Sequence, residues 1–336
     1  MSLTSSIIRY MGPFGLYALA RKLCRNQPRI LMYHRFSVQR CNGYTSQERF
    51  REQVAYIKRH FHPMTLGELA QSIFEEGRVP VHTVVITIDD GYRDFYDVAW
   101  PVLREYQVPA TLFATTGFVN GDLWLWPDQV SWLLEQVERV PETIYCGDFV
   151  LRPGDMSTEA RSRCWHALIN FLLSVPDEQK HAHIRSFADR LDVQLPIEAP
   201  EQFRAMTWEQ LKVVRDGGIE VGGHTVTHPS LGQVSNEEAL SEIMGCRQAL
   251  EKNLGDAPYS FCYPNGKRSD FTEDVKSIVE KSGFGAAVTA FSDSHGVMDR
   301  YAMRRHSGGD DPFQFMKSVS GLELLGRRLR GRAEQW

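Results

Sequence analysis

The stretch Val84-Val85-Ile86-Thr87-Ile88-Asp89-Asp90-Gly91-Tyr92 decides the fold. It opens as an unbroken run of apolar and β-branched residues, the pattern of a strand buried on both faces. It then stops in two adjacent carboxylates followed by Gly91. Two acids at the mouth of a buried strand are expensive to desolvate. A cation, usually a metal, or a chemical task is therefore expected beside them. The plain alternative is an Asp-Gly turn with a capping Asp.

Working outward, Arg29-Ile30-Leu31-Met32-Tyr33-His34 reads as the first core strand. Its terminal His34 is either a hydrogen-bonded core residue or part of the site lining. Helical spacing follows over 47–59 (Phe50, Val54, Ile57) and over 66–74. Beyond the two acids, 94–106 has helical spacing and 110–114 reads as another buried strand. This rhythm predicts parallel strands joined by crossover helices. In such sheets and barrels reactive groups collect at the carboxyl ends of strands, where Asp89 and Asp90 stand.

From about 122 to 204 the rhythm breaks. Trp124, Trp126, Trp132 and Trp165 appear, with helical spacing over 128–139, 157–174 and 177–191. This segment is expected to be a helical insertion that covers the site or extends the substrate surface. Most of its aromatics are expected in its core, with one or two free to stack on a sugar. A helix over 207–216 follows, capped by Thr207. Then come a strand over 219–223, a helix over 237–254, a strand over 259–263 and the turn Pro264-Asn265-Gly266. A helix over 271–281, a strand over 286–289 and Arg304-Arg305-His306 close the series.

The 336 residues suffice for one large α/β domain with an insertion, or for two domains. Net charge is −4, unevenly spread: residues 1–30 carry +5, residues 317–336 carry +3, and the middle carries −12. Basic ends on an acidic body suit an anionic surface such as a membrane, or are merely solvated tails. They argue against nucleic-acid binding, because the body itself is acidic. The six cysteines are scattered without a CxxC pair, which fits reduced thiols in the cytosol. Residues 5–24 read as a helix broken near Gly12-Pro13. Its stripe of Leu16, Leu19, Ala20 and Leu23 runs beside Arg21, Lys22 and Arg25. That is the pattern of an in-plane interfacial helix or of a helix packed on its own domain. The uncharged run 10–20 is too short for a bilayer, which takes roughly 20 residues, and no secretory signal is expected. The expected division is an amphipathic segment 1–27, a catalytic domain 28–320 carrying the insertion 122–204, and a basic tail 321–336.

His224 and His228 lie four residues apart in His224-Thr225-Val226-Thr227-His228-Pro229, between Gly222-Gly223 and Pro229. Both rings can converge on one ion from a strand end. Two imidazoles plus one carboxylate, with positions left for water, suit a catalytic Zn²⁺ or another divalent cation.

In this order, Thr87-Ile88-Asp89-Asp90-Gly91, His224-Thr225-Val226-Thr227-His228-Pro229 and Phe261-Cys262-Tyr263-Pro264-Asn265-Gly266 resemble the motifs of the polysaccharide deacetylases. These form carbohydrate esterase family 4 and share the NodB homology domain. The resemblance covers roughly 28–320. It implies a distorted (β/α) barrel of about seven strands and hydrolysis of N-acetyl groups on amino sugars. It also implies Asp89 as general base, and Asp90, His224 and His228 as ligands of a divalent metal, Zn²⁺ first, then Co²⁺, Ni²⁺ or Mn²⁺. The Asn265 backbone N–H matches the family's oxyanion donor. Two departures stand out. The family's base-orienting Arg is replaced near Phe261 and Cys262, as in a Phe-x-Tyr-Pro subgroup, so Arg304 or Arg305 is expected to substitute. The family's late general-acid His is matched best by His306, in an Arg-Arg-His context, with His295 the weaker choice. His34 and Tyr263 are further candidates for substrate contact or support.

These features lead to a metal-dependent N-deacetylase acting on an amino sugar of a polysaccharide or lipid-linked glycan in envelope biosynthesis. The expected location is the cytoplasm, peripheral to the inner face of the cell membrane. The alternatives are a deformylase or other amide hydrolase on the same fold, and a catalytically idle sugar- or lipid-binding module. Retention of both acids and both histidines argues against idleness.

Overall fold

Seven parallel strands follow the predicted alternation in the computed structural model. It describes residues 15–330 except 141, 147, 148, 153 and 294, and leaves the side chains of 146, 149 and 327–330 undescribed. The predicted helix start and break over 5–14, and the tail beyond 330, lie outside the described residues. The strands are β1 (Arg29–Tyr33), β2 (Thr83–Ile88), β3 (Ala110–Ala114), β4 (Ile219–Gly223), β5 (Ser260–Cys262), β6 (Ala286–Val288) and β7 (His306–Ser307). Their order across the sheet is β6-β5-β4-β3-β2-β1-β7. The two-residue strand His62–Pro63 also pairs with the start of β2.

All six residues of β2 are buried. Val84, Ile86 and Ile88 join the apolar layer under the outer helices, while Val85 faces a second layer with Ile30, Phe113 and Val288. Each such large aliphatic residue contributes about 1.5–3 kcal/mol on burial. The outer layer is covered by α2 (Gln47–His60), α4 (Trp100–Tyr106), α9 (Trp208–Asp216) and α10 (Asn236–Leu254), with α3 (Leu66–Phe74) on the second layer. Thr65 and Glu68 form a reciprocal capping box at the start of α3.

Register puts the carboxyl ends on one rim. Tyr33 pairs with Ile88, and Ala114 with Gly223. His34 and Asp89 therefore leave adjacent strands at the same level, and His224 leaves β4, beyond β3, two residues further along the same rim. Arg305, one residue before β7, shows the curl of the sheet. Its guanidinium reaches Thr87 of β2, Cys262 of β5 and the Thr289 carbonyl beyond β6. A single side chain spans these strands only if the sheet wraps around it, as in a half-barrel.

Segment 122–204 has its own core. Helices α6 (Trp126–Gln136), α7 (Thr158–Ser174) and α8 (Asp177–Arg190) bury Leu133, Leu168, Leu172, Ile184 and Phe187 in a cluster separate from the barrel layers. The structure differs from the helical expectation between α6 and α7. Arg139–Val140 pairs with Gly154–Asp155, and Ile144–Cys146 pairs with Phe149–Leu151. Strands of two or three residues are too short to display a period of two.

Near the start of the chain, α1 (Leu16–Leu23) buries Ala20 and leaves Leu19 and Leu23 exposed, so the predicted stripe divides. Arg21 turns inward to donate to the Tyr56 hydroxyl at 2.7 Å. After α12 (Pro312–Ser320) the Cys24 thiol donates to the Gly321 carbonyl, and the His82 N–H to the Arg25 carbonyl. These contacts place the end of α1 at the amino ends of β1 and β2, away from the Asp89 rim. No described helix is long and apolar enough to cross a membrane.

Candidate functional site

The corner after β2 is sharp: Asp90 takes a left-handed φ of 77° and Gly91 one of 92°. Asp90, Thr225, His228 and Asn265 are four of the seven described non-glycine residues with positive φ. Each such conformation costs on the order of 1–3 kcal/mol and is kept where surrounding packing imposes it. All four lie on the loops that surround one cleft.

The corner separates the two acids. Asp89 is 2% exposed and faces Arg305. Arg305 Nη1 donates to Asp89 Oδ1 at 2.6 Å and Nη2 to Oδ2 at 2.7 Å, a bidentate pair inside the barrel. Burial pushes the Asp89 carboxyl up, but Arg305 and then His34 outweigh it and hold it below the ordinary range. Asp90, 7% exposed, faces the histidines instead. His224 Nε2 stands 3.3 Å and His228 Nε2 3.4 Å from Asp90 Oδ1. Burial opposes ionisation of Asp90, and the hydrogen bonds from both imidazoles overcome it, leaving its carboxyl well below the ordinary range.

Local structure fixes both rings. His224 Nδ1 donates to the Cys262 carbonyl at 2.7 Å, which leaves Nε2 as the nitrogen that faces Asp90 and would take a cation in place of its proton. The Thr225–His228 loop hangs on Glu242 of α10, whose carboxylate accepts the N–H groups of Val226 and Thr227. Gly222 is required behind it, because a Cβ there would lie 2.6 Å from the Ser260 carbonyl.

The donor set fits a divalent cation. One atom each from Asp90, His224 and His228 lies within 4.8 Å of the others, all three residues are buried, and the His224 tautomer is fixed for ligation. Burial holds His228 below its ordinary value against the pull of Asp90, which favours the neutral, ligating ring. Asp89, His224 and Cys262 form a second donor group. It does not fit a cation: Arg305 already neutralises Asp89, and burial pushes the Cys262 thiol up.

The remaining expected residues divide. His34 borders the cleft, its Nε2 3.5 Å from Asp89 Oδ2 and its side chain 45% exposed. Asn265 and Tyr263 also line it. Asn265 has φ of 60° in the tight turn and a buried Nδ2 without a partner among the described residues. Tyr263 stacks on Phe271 and donates to the Tyr301 carbonyl, so it forms wall. His306 is a correction. It pairs with Leu31 in the sheet and turns its Nδ1 to Glu323 at 3.3 Å, away from the cleft that Arg305 enters. Neighbours along an extended chain point to opposite faces, so the placement of Arg305 beside Asp89 excludes His306 from the same space. The general-acid role does not suit that position. Arg304 is directed to Asp293 at 3.0 Å, and His295 pairs with the same acid in an exposed loop.

The cleft has a volume of about 850 Å³ and runs from the Asp90 corner to the insertion, where Trp126, Leu134, Trp165 and Ile169 line it. Sequence reasoning missed Glu242, Arg35 and Asp128. Arg35 and Asp128 line the cleft between the barrel and the insertion.

Comparison with known proteins bears on the family and the fold. The family model for polysaccharide deacetylases matches residues 76–140 and 180–287, together just over half the chain. Poly-beta-1,6-N-acetyl-D-glucosamine N-deacetylases of Staphylococcus aureus are 33% identical over 91 residues, which is 27% of this chain and 31% of theirs. The chain thus spans about a third of the length of these curated relatives. Among solved structures, the Streptococcus pyogenes deacetylase PplD in complex with acetate superposes with a TM-score of 0.57 at 18% identity, over 87% of this chain and 98% of that one. IcaB from Ammonifex degensii gives 0.56 at 17%, over 88% and 97%. The NodB-type half-barrel and the match over half the sequence give one conclusion: the chain belongs to the polysaccharide deacetylase family.

Proposed function

We propose that this chain is a metal-dependent N-deacetylase that hydrolyses the acetamido group of an amino sugar in an envelope glycan. One observation carries this reading: two adjacent acids face different partners. Asp89 meets a guanidinium, and Asp90 meets two imidazoles. Asp90, His224 and His228 would hold the cation, which supplies Lewis acidity toward the amide carbonyl and the attacking water. Asp89, kept ionised and aimed by Arg305, accepts the proton of that water as its oxygen adds to the carbonyl carbon. The Asn265 N–H steadies the developing oxyanion from its tight turn. His34, the exposed imidazole across Asp89, gives a proton to the sugar nitrogen as the C–N bond breaks and acetate leaves.

The names of the staphylococcal relatives make poly-β-1,6-N-acetyl-D-glucosamine oligomers the first substrate to test. Acetate release is expected to fall at least 100-fold after dialysis against a chelator and to return with Zn²⁺, Co²⁺, Ni²⁺ or Mn²⁺. Unchanged release rejects metal dependence, and formate release from N-formyl analogues alone favours a deformylase. We further infer the division into 1–27, 28–320 with the insertion, and 321–336. On this division the basic end segments hold the protein on the inner, anionic face of the membrane. Leu19 and Leu23, exposed beside Lys22, support this, and their place at the amino ends of the strands leaves the cleft free. Flotation with anionic liposomes should differ between the full chain and residues 28–320; equal flotation removes the idea.

A further inference from the structure

The chemistry above leaves Arg35, the residue after His34, without a task. Its guanidinium is met by several separate stretches of chain. Nε donates to Asp94 Oδ2 at 2.7 Å, Nη2 donates to the Gln202 carbonyl, and Nη1 stands 3.6 Å from Asp128 Oδ1. Three aromatic rings surround it, with centroids at 3.9 Å for Tyr92, 4.6 Å for Tyr44 and 5.6 Å for Phe203. The acids are themselves held: Asp94 Oδ1 accepts the Phe36 N–H at 3.1 Å, and Asp128 Oδ2 accepts the Tyr92 hydroxyl at 2.7 Å.

These contacts come from opposite sides of the cleft. Tyr92 and Asp94 directly follow the Asp89-Asp90 corner. Asp128 lies in the first turn of α6, where the insertion begins. Gln202 and Phe203 lie in the short turn Glu201–Phe203, where it returns. One guanidinium thus fastens both ends of the insertion to the catalytic corner. The site suits arginine alone among the cations. Its flat fork aims N–H groups at Asp94, Gln202 and Asp128 while its faces stack on aromatic rings; a lysine ammonium has neither the rigid fork nor the flat face. The insertion's core is separate from the barrel layers, so its position depends on such ties.

We propose that Arg35 is a positioning residue that fixes the helical insertion over the cleft and so sets affinity for the glycan beyond the reacting sugar. The glycan part of this rests on the deacetylase reading; the placement of the insertion does not. Hydrogen exchange on the full chain tests the placement directly. In Arg35→Met, exchange in α6 and in residues 201–204 should rise at least tenfold, with β2 unchanged as the internal reference. Asp128→Asn keeps the Arg35–Asp94 pair and should give a smaller rise confined to α6. Kinetically, Arg35→Met should raise KM for a poly-β-1,6-N-acetyl-D-glucosamine tetramer at least tenfold, with kcat within threefold. Its kcat/KM on N-acetylglucosamine itself should stay within threefold. Unchanged exchange in α6, or an equal loss on long and short substrates, overturns the proposal. If Arg35→Met does not fold, Asp128→Asn decides by the same two readouts. If the wild type releases no acetate from either sugar, the deacetylase reading fails and exchange alone judges Arg35.

Discussion

The two halves of the cleft are held by different means. On the barrel side, Asp89, Asp90 and His224 sit at strand ends, placed by the register of parallel strands and locked by buried charge pairs. On the insertion side, Trp126, Leu134, Trp165 and Ile169 stand on helices with a separate core. The family match spans the barrel strands around Asp89 and His224 yet omits residues 141–179, inside the insertion. Chemistry needs groups fixed within a fraction of an ångström, and sheet ends supply that; recognition tolerates an appendage that can vary. Substitutions on the barrel side should therefore act on kcat, and those on the insertion side on KM.

The largest expected effect tests the division of labour at the corner. Asp89→Asn should lower acetate release by about 10²–10⁴ with metal content unchanged. Asp90→Asn should lose both. If Asp89→Asn is the variant that loses metal, the two acids have been assigned backwards. Arg305→Met should also destabilise the fold, because it leaves Asp89 buried without a counter-ion; breaking such a pair costs about 3–5 kcal/mol. Thermal unfolding checks this, and a melting temperature equal to that of the wild type would show that Asp89 does not depend on Arg305.

The next contrast is between two histidines. His34→Gln should reduce kcat by about 10²-fold or more, whereas His306→Gln should leave it within threefold. Activity lost through His306 and kept without His34 would return the general acid to the last strand. This pair also marks the limit of the sequence. Asp89, Asp90, His224 and His228 were legible because each pair is close in sequence and interrupts a strand pattern. Arg305 and His306 were legible as candidates but not as a choice. Neighbours on a strand face opposite ways, and only the register of β7 against β1 decides which enters the barrel. His34 gained its place from the same register, which levels Tyr33 with Ile88. Six strands and the helices between them followed from the apolar pattern, and the count of about seven from the family resemblance, while the two-residue pairs inside the insertion carried no period to detect. Arg35, Asp128 and Glu242 look like ordinary surface charges in sequence. Their hydrogen-bond partners lie 15 to 167 positions away and meet them only after folding.

The smallest effect lies where the two halves meet, at Asp128. Burial pushes its carboxyl up to about 7, and Asp90 and Asp94 add to this while Arg35 and the Tyr92 hydroxyl pull against it. Asp94 is likewise pushed up by burial, to about 6. With a folded value above the unfolded one near 3.8, Asp128 keeps a proton in the fold that the unfolded chain has released. Stability from this group is therefore present at low pH and declines as pH rises between about 4 and 7, the opposite of Asp89 and Asp90. Asp128→Asn removes that slope, while its amide oxygen still accepts from Tyr92. Relative to this variant, the wild type should lose a few degrees of melting temperature between pH 5 and pH 8. Subtracting the two curves cancels titrations elsewhere in the chain. A difference that stays flat over this range would mean that Asp128 is ionised throughout. The insertion would then be held to the barrel by a full ion pair with Arg35, not by a neutral carboxyl beside it.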